Sequence, residues 1–177
     1  MTLPIKPALV PVYGKDAWTW VPAIAVLTAP TVAELTAVTG FNLSCSLFGE
    51  QEGVTATTEK VTLPRLLCET SQYEFIGSTT WGMADLTVSI QPQAAALSDG
   101  KKAWEAMSDG ESGFLVRRLG IDAAGTDFVA GQFVNIYPSQ LGVKVITKTS
   151  TGADGVAAFT VAAGITSAPF QNVAVAA

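Results

Sequence analysis

The sequence predicts a mainly β protein: an antiparallel β-sandwich or barrel-like fold with one flanking α-helix and one long projecting segment. Apolar and polar residues alternate with a period of two along residues 41–48 and along residues 84–91, as they do in half-buried strands. The 20 threonines are spread through the chain, and β-branched residues favour a pleated sheet. The 177 residues are enough to bury a core as a single domain, in which we expect about residues 1–35 to be partly extended.

The two alternating segments predict which residues enter the core. The predicted core face of residues 41–48 consists of Phe41, Leu43, Cys45 and Leu47. Cys45 is therefore expected to pack as a small hydrophobic residue rather than to form a disulfide. The predicted core face of residues 84–91 consists of Ala84, Leu86, Val88 and Ile90, and the opposite face of Asp85, Thr87, Ser89 and Gln91.

The second half of the chain predicts further strands. Residues 114–119 and 133–137 carry large apolar residues on both faces, which is typical of strands covered on both sides. Residues 143–149 and 156–161 flank a loop with two glycines and predict a hairpin. Residues 170–175 predict a final strand that closes a sheet edge.

One helix is predicted over about residues 98–108. Ser98 is expected to cap its start, and Asp109-Gly110 to end it. Leu97, Trp104 and Met107 would then share one apolar face.

Residues 49–80 break the pattern and predict a projecting segment, either a long hairpin or an extended loop. A polar run that includes Thr55, Thr57 and Thr58 is followed by an apolar stretch at residues 63–67 and by alternation from Tyr73 onward. Segments of this length inside a compact domain are usually functional or disordered. The leucines and aromatic residues argue against disorder.

The composition argues against several classes of function. There is no histidine, which removes the commonest general base and the commonest metal ligand. The net charge of −5 and the pI near 4.6 disfavour binding to nucleic acid. Residues 17–33 are uncharged but contain two prolines and three threonines, too polar and too short to span a membrane. No nucleotide-binding motif occurs, so we expect neither an enzyme nor a cofactor.

The remaining charged candidates favour structural roles. Glu50 and Glu52 lie beside glycines, where a solvated turn is favoured over an acid–base pair. Three aspartates lie in glycine-containing turns without the spacing of a calcium loop: Asp122, Asp127 and Asp154.

Two residue pairs each allow more than one role. In a strand, Arg117 and Arg118 would point to opposite faces, and one of them is expected to meet an acid across a strand or a subunit boundary. Trp18 and Trp20 would share a face, which either packs or stacks on a sugar, and packing or subunit contact is favoured.

The hydrophobic content is high for a protein that does not span a membrane. The chain is 49% hydrophobic and 14% charged, with a mean hydropathy of +0.37. A monomer of this composition would leave apolar surface exposed to water, and such surface usually marks contact with a partner. We therefore expect the chain to bury its spare apolar surface against copies of itself.

The order of these elements resembles the major tail protein, or tail tube protein, of long-tailed, non-contractile (siphovirus-type) bacteriophages, and in particular that of actinobacterial phages. The resemblance covers most of the chain and includes the strand at 41–48, the projecting segment at 49–80 and the strand at 84–91. It continues through the segments DGKKAWEAM at 99–107, GFLVRRLG at 113–120, GQFVNIYP at 131–138 and APFQNVAV at 168–175.

The resemblance implies a structural virion protein. Such proteins form six-fold rings that stack into a hollow tube, in which strands of all subunits line a continuous inner barrel. The implied partners are the chain itself, the tape-measure protein in the lumen, and the tail terminator and distal tail proteins at the ends. DNA would pass through without specific binding. The protein would be made in the host cytoplasm and end in the virion, without membrane insertion and without an appended immunoglobulin-like domain.

Residue roles follow from the same resemblance as predictions. The predicted inter-ring contact consists of Leu66, Leu67, Tyr73 and Phe75, and the predicted lumen face of Asp85, Thr87, Ser89 and Gln91. Arg117 and Arg118 are predicted to contribute an inter-subunit ion pair. Two alternatives stay open: a carbohydrate-binding β-sandwich that uses Trp18, Trp20 or Trp81, and a capsid decoration protein.

Overall fold

A computed structural model describes residues 8–49, 51–125 and 127–177. The described chain is mainly β, as predicted, with antiparallel sheets and two short helices in these ranges. Its elements are β1 (Asp16–Val21), α1 (Val32–Leu35), β2 (Phe41–Asn42), β3 (Val54–Thr62), β4 (Glu74–Met83), β5 (Leu86–Ser89), α2 (Lys102–Ala106), β6 (Ser112–Leu119), β7 (Phe133–Leu141), β8 (Val145–Lys148), β9 (Ala157–Val161), β10 (Ala163–Ile165) and β11 (Phe170–Ala174).

The described strands form three sheets. The largest has six strands in the order β10-β7-β6-β1-β2, with β11 also paired to β7. A three-stranded sheet has the order β5-β9-β8, and β3 pairs with β4 in a sheet of their own. The predicted hairpin of residues 143–161 is confirmed as β8–β9, and the predicted final strand is confirmed as β11.

The six-stranded sheet is covered on both faces. On one face, Trp18, Trp20 and Leu115 pack against the three-stranded sheet, which contributes Leu86, Val88 and Phe159. This first core also includes four further buried residues: Met107, Tyr137, Leu141 and Val161. The predicted core positions of residues 84–91 are confirmed at Leu86, Val88 and Ile90, whereas Ala84 is exposed.

A second core lies on the opposite face of the six-stranded sheet. Val21, Val116 and Ile136 pack there against α1 and the loops around it. Their partners in this core are Ile24, Leu35, Phe128, Val134 and Val175. The prediction that residues 114–119 and 133–137 are covered on both sides is therefore confirmed, since successive side chains of a strand enter different cores.

The predicted strand at residues 41–48 is wrong beyond Asn42. The side chain of Asn42 accepts a hydrogen bond from the Ser44 amide (3.0 Å), and the Ser44 hydroxyl accepts one from the Trp18 amide (2.9 Å). These two side-chain bonds, one local and one to Trp18 of β1, replace the strand ladder and turn the chain after Leu43. Leu43 stays fully buried, but Cys45 is exposed on the turn, so its predicted core role is also wrong.

The predicted helix at about 98–108 is shorter than expected. Leu97 has a φ of +60°, and the Ser98 hydroxyl donates back to the Ala95 carbonyl instead of capping a helix. The segment before Lys102 is therefore a set of turns, and Leu97 is exposed. Trp104 and Met107 do pack against the first core, as predicted.

The short helix α1, which was not predicted from the sequence, is fixed by a capping box. The Thr31 hydroxyl accepts from the Glu34 amide (3.3 Å), and the Glu34 carboxylate accepts from the Thr31 amide (2.7 Å). Glu34 also accepts from the Ala25 amide (2.7 Å), which ties the preceding loop to the helix.

We expect Phe159→Ala to be strongly destabilising. The side chain is fully buried and its ring makes an edge-on contact with Trp104, with centroids 5.2 Å apart. Truncation of a buried phenylalanine lowers the free energy of unfolding by about 3–5 kcal/mol, because a cavity remains. Urea denaturation measures this loss, with Phe133→Ala at an exposed site as the control, for which about 1 kcal/mol or less is expected.

We expect Glu34→Gln to lower the free energy of unfolding at neutral pH but not at acidic pH. Hydrogen bonds from the Thr31 and Ala25 amides lower the pKa of Glu34 below its ordinary value of 4.5. A lowered folded-state pKa stabilises the protein above the ordinary value, and this contribution disappears as pH falls through the folded value. Unfolding curves between about pH 3 and pH 6 should therefore converge for wild type and variant at the acidic end. A difference that does not change with pH would contradict this assignment.

Candidate assembly surface

Residues 54–83 form a long hairpin, which we call the arm. Its strands β3 and β4 pair from Val54–Met83 at the base to Thr62–Glu74 near the end. No other strand of the described chain pairs with the arm, so both of its edges are open. Of the two alternatives for residues 49–80, the long hairpin is therefore confirmed.

The outer half of the arm carries an apolar face. Val61 lies directly opposite Phe75, and the Leu63 amide bonds to the Tyr73 carbonyl (3.0 Å) two residues further on. Because alternate residues share a face, these side chains form one patch, the distal apolar face: Val61, Leu63, Tyr73 and Phe75. Their exposed fractions are 45%, 39%, 58% and 59%, respectively. Ile76, opposite Lys60, lies on the other face of the arm and is also exposed.

The tip and the base of the arm differ in their surroundings. At the tip, Leu66 and Leu67 are exposed, as are Tyr73 and Phe75, so all four predicted inter-ring residues are accessible to a partner. At the base, Val54 and Met83 pack against the first core. The arm is therefore attached to the sandwich at one end, and its outer half lies in solvent.

Arg117 connects the sandwich to the start of the arm. Its guanidinium donates to both carboxylate oxygens of Asp16 (2.8 Å each) and to the carbonyls of Gln51 and Glu52 (2.9 Å each). It lies 5.0 Å from the centre of the Trp18 ring, within cation–π range. We call this arrangement the Arg117 junction. Burial disfavours the charge, but the hydrogen bonds and charge of Asp16 outweigh burial and raise the pKa of Arg117.

Arg118 lies on the opposite face of β6, as the period of two predicted. Its guanidinium donates to the carbonyls of Asp127 (2.8 Å) and Asp122 (3.1 Å) and to the Gln132 side chain (3.1 Å). Burial lowers its pKa, and the charge of Asp127 partly opposes this effect. The acid predicted to meet one of the two arginines is Asp16 of the same chain, across β1 and β6. An ion pair between subunits stays a prediction.

The three-stranded sheet presents small hydroxyl side chains on its outer face. Thr87 and Ser89 alternate with the buried Leu86 and Val88, and the register places Thr160 beside Thr87. Of the predicted lumen residues, Thr87 and Ser89 are half-buried on this face, and Asp85 and Gln91 are exposed at its ends.

The edges of this sheet are unequal. The free side of β5 is bonded to residues 46–48, since the Phe48 amide donates to the Thr87 carbonyl (2.9 Å) and the Ser89 amide to the Ser46 carbonyl (2.7 Å). At the other edge, β9 is the only described strand that pairs with β8, and Val145 and Ile146 are exposed. The edge of β8 is therefore open to another strand.

The tryptophans predicted to pack or to bind a sugar, and the glutamates predicted to lie in a turn, can now be placed in the fold. Trp18 and Trp20 are 2% and 0% exposed, so packing is confirmed and neither ring can stack on a sugar. An open groove of about 430 Å³ beside the Arg117 junction is lined by Tyr13, Asp16, Trp18 and Ser44 among others. Glu52 borders this groove, and Glu50 lies outside the described residues.

The described ranges contain neither a metal-binding group nor a helix suited to cross a membrane. Asp122, Asp127 and Asp154 are exposed, and the described acidic and cysteine side chains form no group of three that could hold a metal ion. Among the helices described, none has the length and apolar character needed to cross a membrane.

Comparison with known proteins assigns this chain to a family. Residues 4–177 match the family described as phage tail tube protein, which covers nearly the whole sequence. The chain therefore belongs to the phage tail tube protein family, and the predicted resemblance is confirmed at that level. The actinobacterial type stays a prediction.

Similarity also extends to solved structures. A chain in the cryo-electron microscopy structure of the anti-feeding prophage (AFP) baseplate, 6-fold symmetrised, aligns with a TM-score of 0.49 at 10% sequence identity. The alignment covers 97% of this chain and 98% of that chain. No curated protein matches this sequence.

Proposed function

We propose that this protein assembles with itself into stacked hexameric rings that form the tube of a non-contractile phage tail, a conduit for genome delivery. Membership of the tail tube family supports a structural role in the virion rather than catalysis. The single observation that carries the assembly proposal is the distal apolar face of the arm, which is exposed in the monomer.

The arm is the element proposed to join successive rings. A two-stranded hairpin is at best marginally stable by itself in water, because two strands bury little apolar surface. Burial of Val61, Leu63, Tyr73 and Phe75 against a second copy would remove this exposed apolar surface from water. A contact between the arm of one copy and the body of the next is head-to-tail, and such contacts propagate into open filaments.

The open edge of β8 is the element proposed to join neighbours within a ring. An exposed strand edge with unpaired backbone groups readily accepts a strand from another chain. Val145 and Ile146 would be covered by that pairing. Repeated around six subunits, pairing of β8 with the opposite edge of the neighbouring subunit's sheet, which residues 46–48 form beside β5, would close these sheets into a continuous barrel.

The outer face of the three-stranded sheet is the proposed lumen surface. Thr87, Ser89 and Thr160 present small uncharged hydroxyl groups, and Asp85 adds a negative charge. Such a surface lacks the clustered cations that hold a phosphate backbone, so DNA would pass without being bound. The overall charge of −5 acts in the same direction.

The remaining partners follow from a tube of defined length. Since a head-to-tail polymer has no intrinsic end, its length has to be set by other proteins. We propose the tape-measure protein inside the lumen and the terminator and distal tail proteins at the two ends. The protein would be synthesised in the host cytoplasm and incorporated into the virion there.

We expect the double substitution Val61→Ser and Phe75→Ser to abolish tube formation while the monomer stays folded. Both side chains are exposed, so the free energy of unfolding should change by less than about 1 kcal/mol. Negative-stain electron microscopy of concentrated protein measures tube formation, and urea denaturation checks the fold.

Ile76→Ser is the matched control for this experiment. It removes an apolar side chain that is more exposed than Val61 or Phe75 from the opposite face of β4, and tubes should still form. Normal tubes from the double variant would contradict the role of the distal apolar face. Wild-type protein that stays monomeric at every concentration and ionic strength would contradict the proposed function itself.

We expect Asp85→Lys to leave tubes intact but to slow genome ejection. The new cation would attract the phosphate backbone, whereas the native carboxylate repels it. Ejection from phage carrying the variant tube can be followed by release of a DNA-binding dye. Asp122→Lys is the control, because this exposed carboxylate lies outside the three-stranded sheet and its reversal should not affect ejection. Equal ejection rates for both variants would argue against this lumen assignment.

A further inference from the structure

The start of the arm is held by the Arg117 junction. Residues 51–53, the arm root, lead directly into β3, and two of their carbonyls accept hydrogen bonds from the guanidinium of Arg117. The same guanidinium is fixed to β1 by both oxygens of Asp16. Of the four ion pairs among the described residues, the pair of Arg117 and Asp16 is the one that also hydrogen-bonds to the arm root.

The arm root is shaped to fit the guanidinium. Gly53 has a φ of +92°, and a Cβ at this position would lie 2.5 Å from Nη1 of Arg117. A side chain here would both strain the backbone and displace the guanidinium. The glycine therefore allows the chain to turn into β3 in direct contact with Arg117.

Two kinds of contact attach the arm to the sandwich, and they differ in directionality. Val54 and Met83 pack against the first core, and apolar packing of this kind has no preferred direction. The planar fork of Arg117 places its donors in fixed directions, so the bonds to Gln51 and Glu52 restrain the direction in which the arm root leaves the body.

We propose that Arg117 is a positioning residue for polymerisation, which holds the arm at the angle that presents its distal apolar face to the next subunit. This inference rests on the proposed function of the arm. Assembly from a pre-oriented arm avoids the loss of conformational entropy that a freely swinging arm would suffer on binding. Arg117 therefore acts on the contact between rings without itself lying in that contact.

Arg117→Lys tests this inference. Lysine keeps the positive charge but has a single ammonium group, which cannot reproduce the planar fork. We expect the critical concentration for tube formation to rise about tenfold, the change that corresponds to ordering roughly one residue on binding. Hydrogen exchange of the monomer should be about tenfold faster in peptides from residues 51–62 and 74–83.

Arg118→Lys is the matched control. Arg118 follows Arg117 on β6 and also binds backbone carbonyls, but those belong to residues 122 and 127 on the opposite face of the sheet. We expect this variant to lose thermal stability without faster exchange in the arm and without a change in critical concentration once folded. This readout separates the position of the arm from general destabilisation.

The outcomes decide between the two proposals. Wild-type exchange and wild-type critical concentration in Arg117→Lys would overturn the positioning role and leave the proposed function intact. A wild-type protein that forms no tubes would overturn the proposed function, and exchange in the monomer would still test whether Arg117 fixes the arm. If Arg117→Lys does not fold, Gly53→Ala replaces it, because the added methyl group displaces the same guanidinium.

Discussion

The double covering of the six-stranded sheet is the constraint on which the rest of the structure depends. Its first face is buried by the three-stranded sheet and α2, and its second face by α1 and the loops beside it. Both faces of the central strands are therefore occupied within one chain. The apolar residues of the arm and of the β8 edge have no remaining place in either core, which explains how a chain with 49% hydrophobic residues keeps exposed apolar patches.

The arm is an ordered hairpin whose outer apolar side chains are exposed to solvent. Its strands are held together by backbone pairing and by side-chain contacts such as the Thr58–Thr79 hydroxyl pair (3.2 Å), and Val54 and Met83 attach its base to the core. The strands also contain a register shift after Thr58, which changes the residues that share a face on β4. This shift brings Phe75 opposite Val61 and so creates the distal apolar face.

Period-two alternation predicted the features that depend on neighbouring residues alone. It predicted the buried positions Leu86 and Val88, the opposite orientation of Arg117 and Arg118, and the strands covered on both sides. It did not predict the turn at Ser44, because the hydrogen bonds that replace the strand come from Trp18, 26 residues away. The helix α1 was missed although its Thr31-x-x-Glu34 pattern is readable as a capping box.

The sequence by itself determined the β class, the projecting segment and the surplus of apolar surface, since each is a property of composition or of local periodicity. The family resemblance was carried separately by the order of the elements and by particular segments of the sequence. The tertiary structure alone decided that the projecting segment is a hairpin with one apolar face, that Asp16 is the partner of Arg117, and that this pair binds the arm root. The contacts of Arg117 join positions 65 or more residues apart, as the separation of 101 positions between Arg117 and Asp16 illustrates. Local periodicity carries no information on which distant segments meet, because that depends on how the two cores fill.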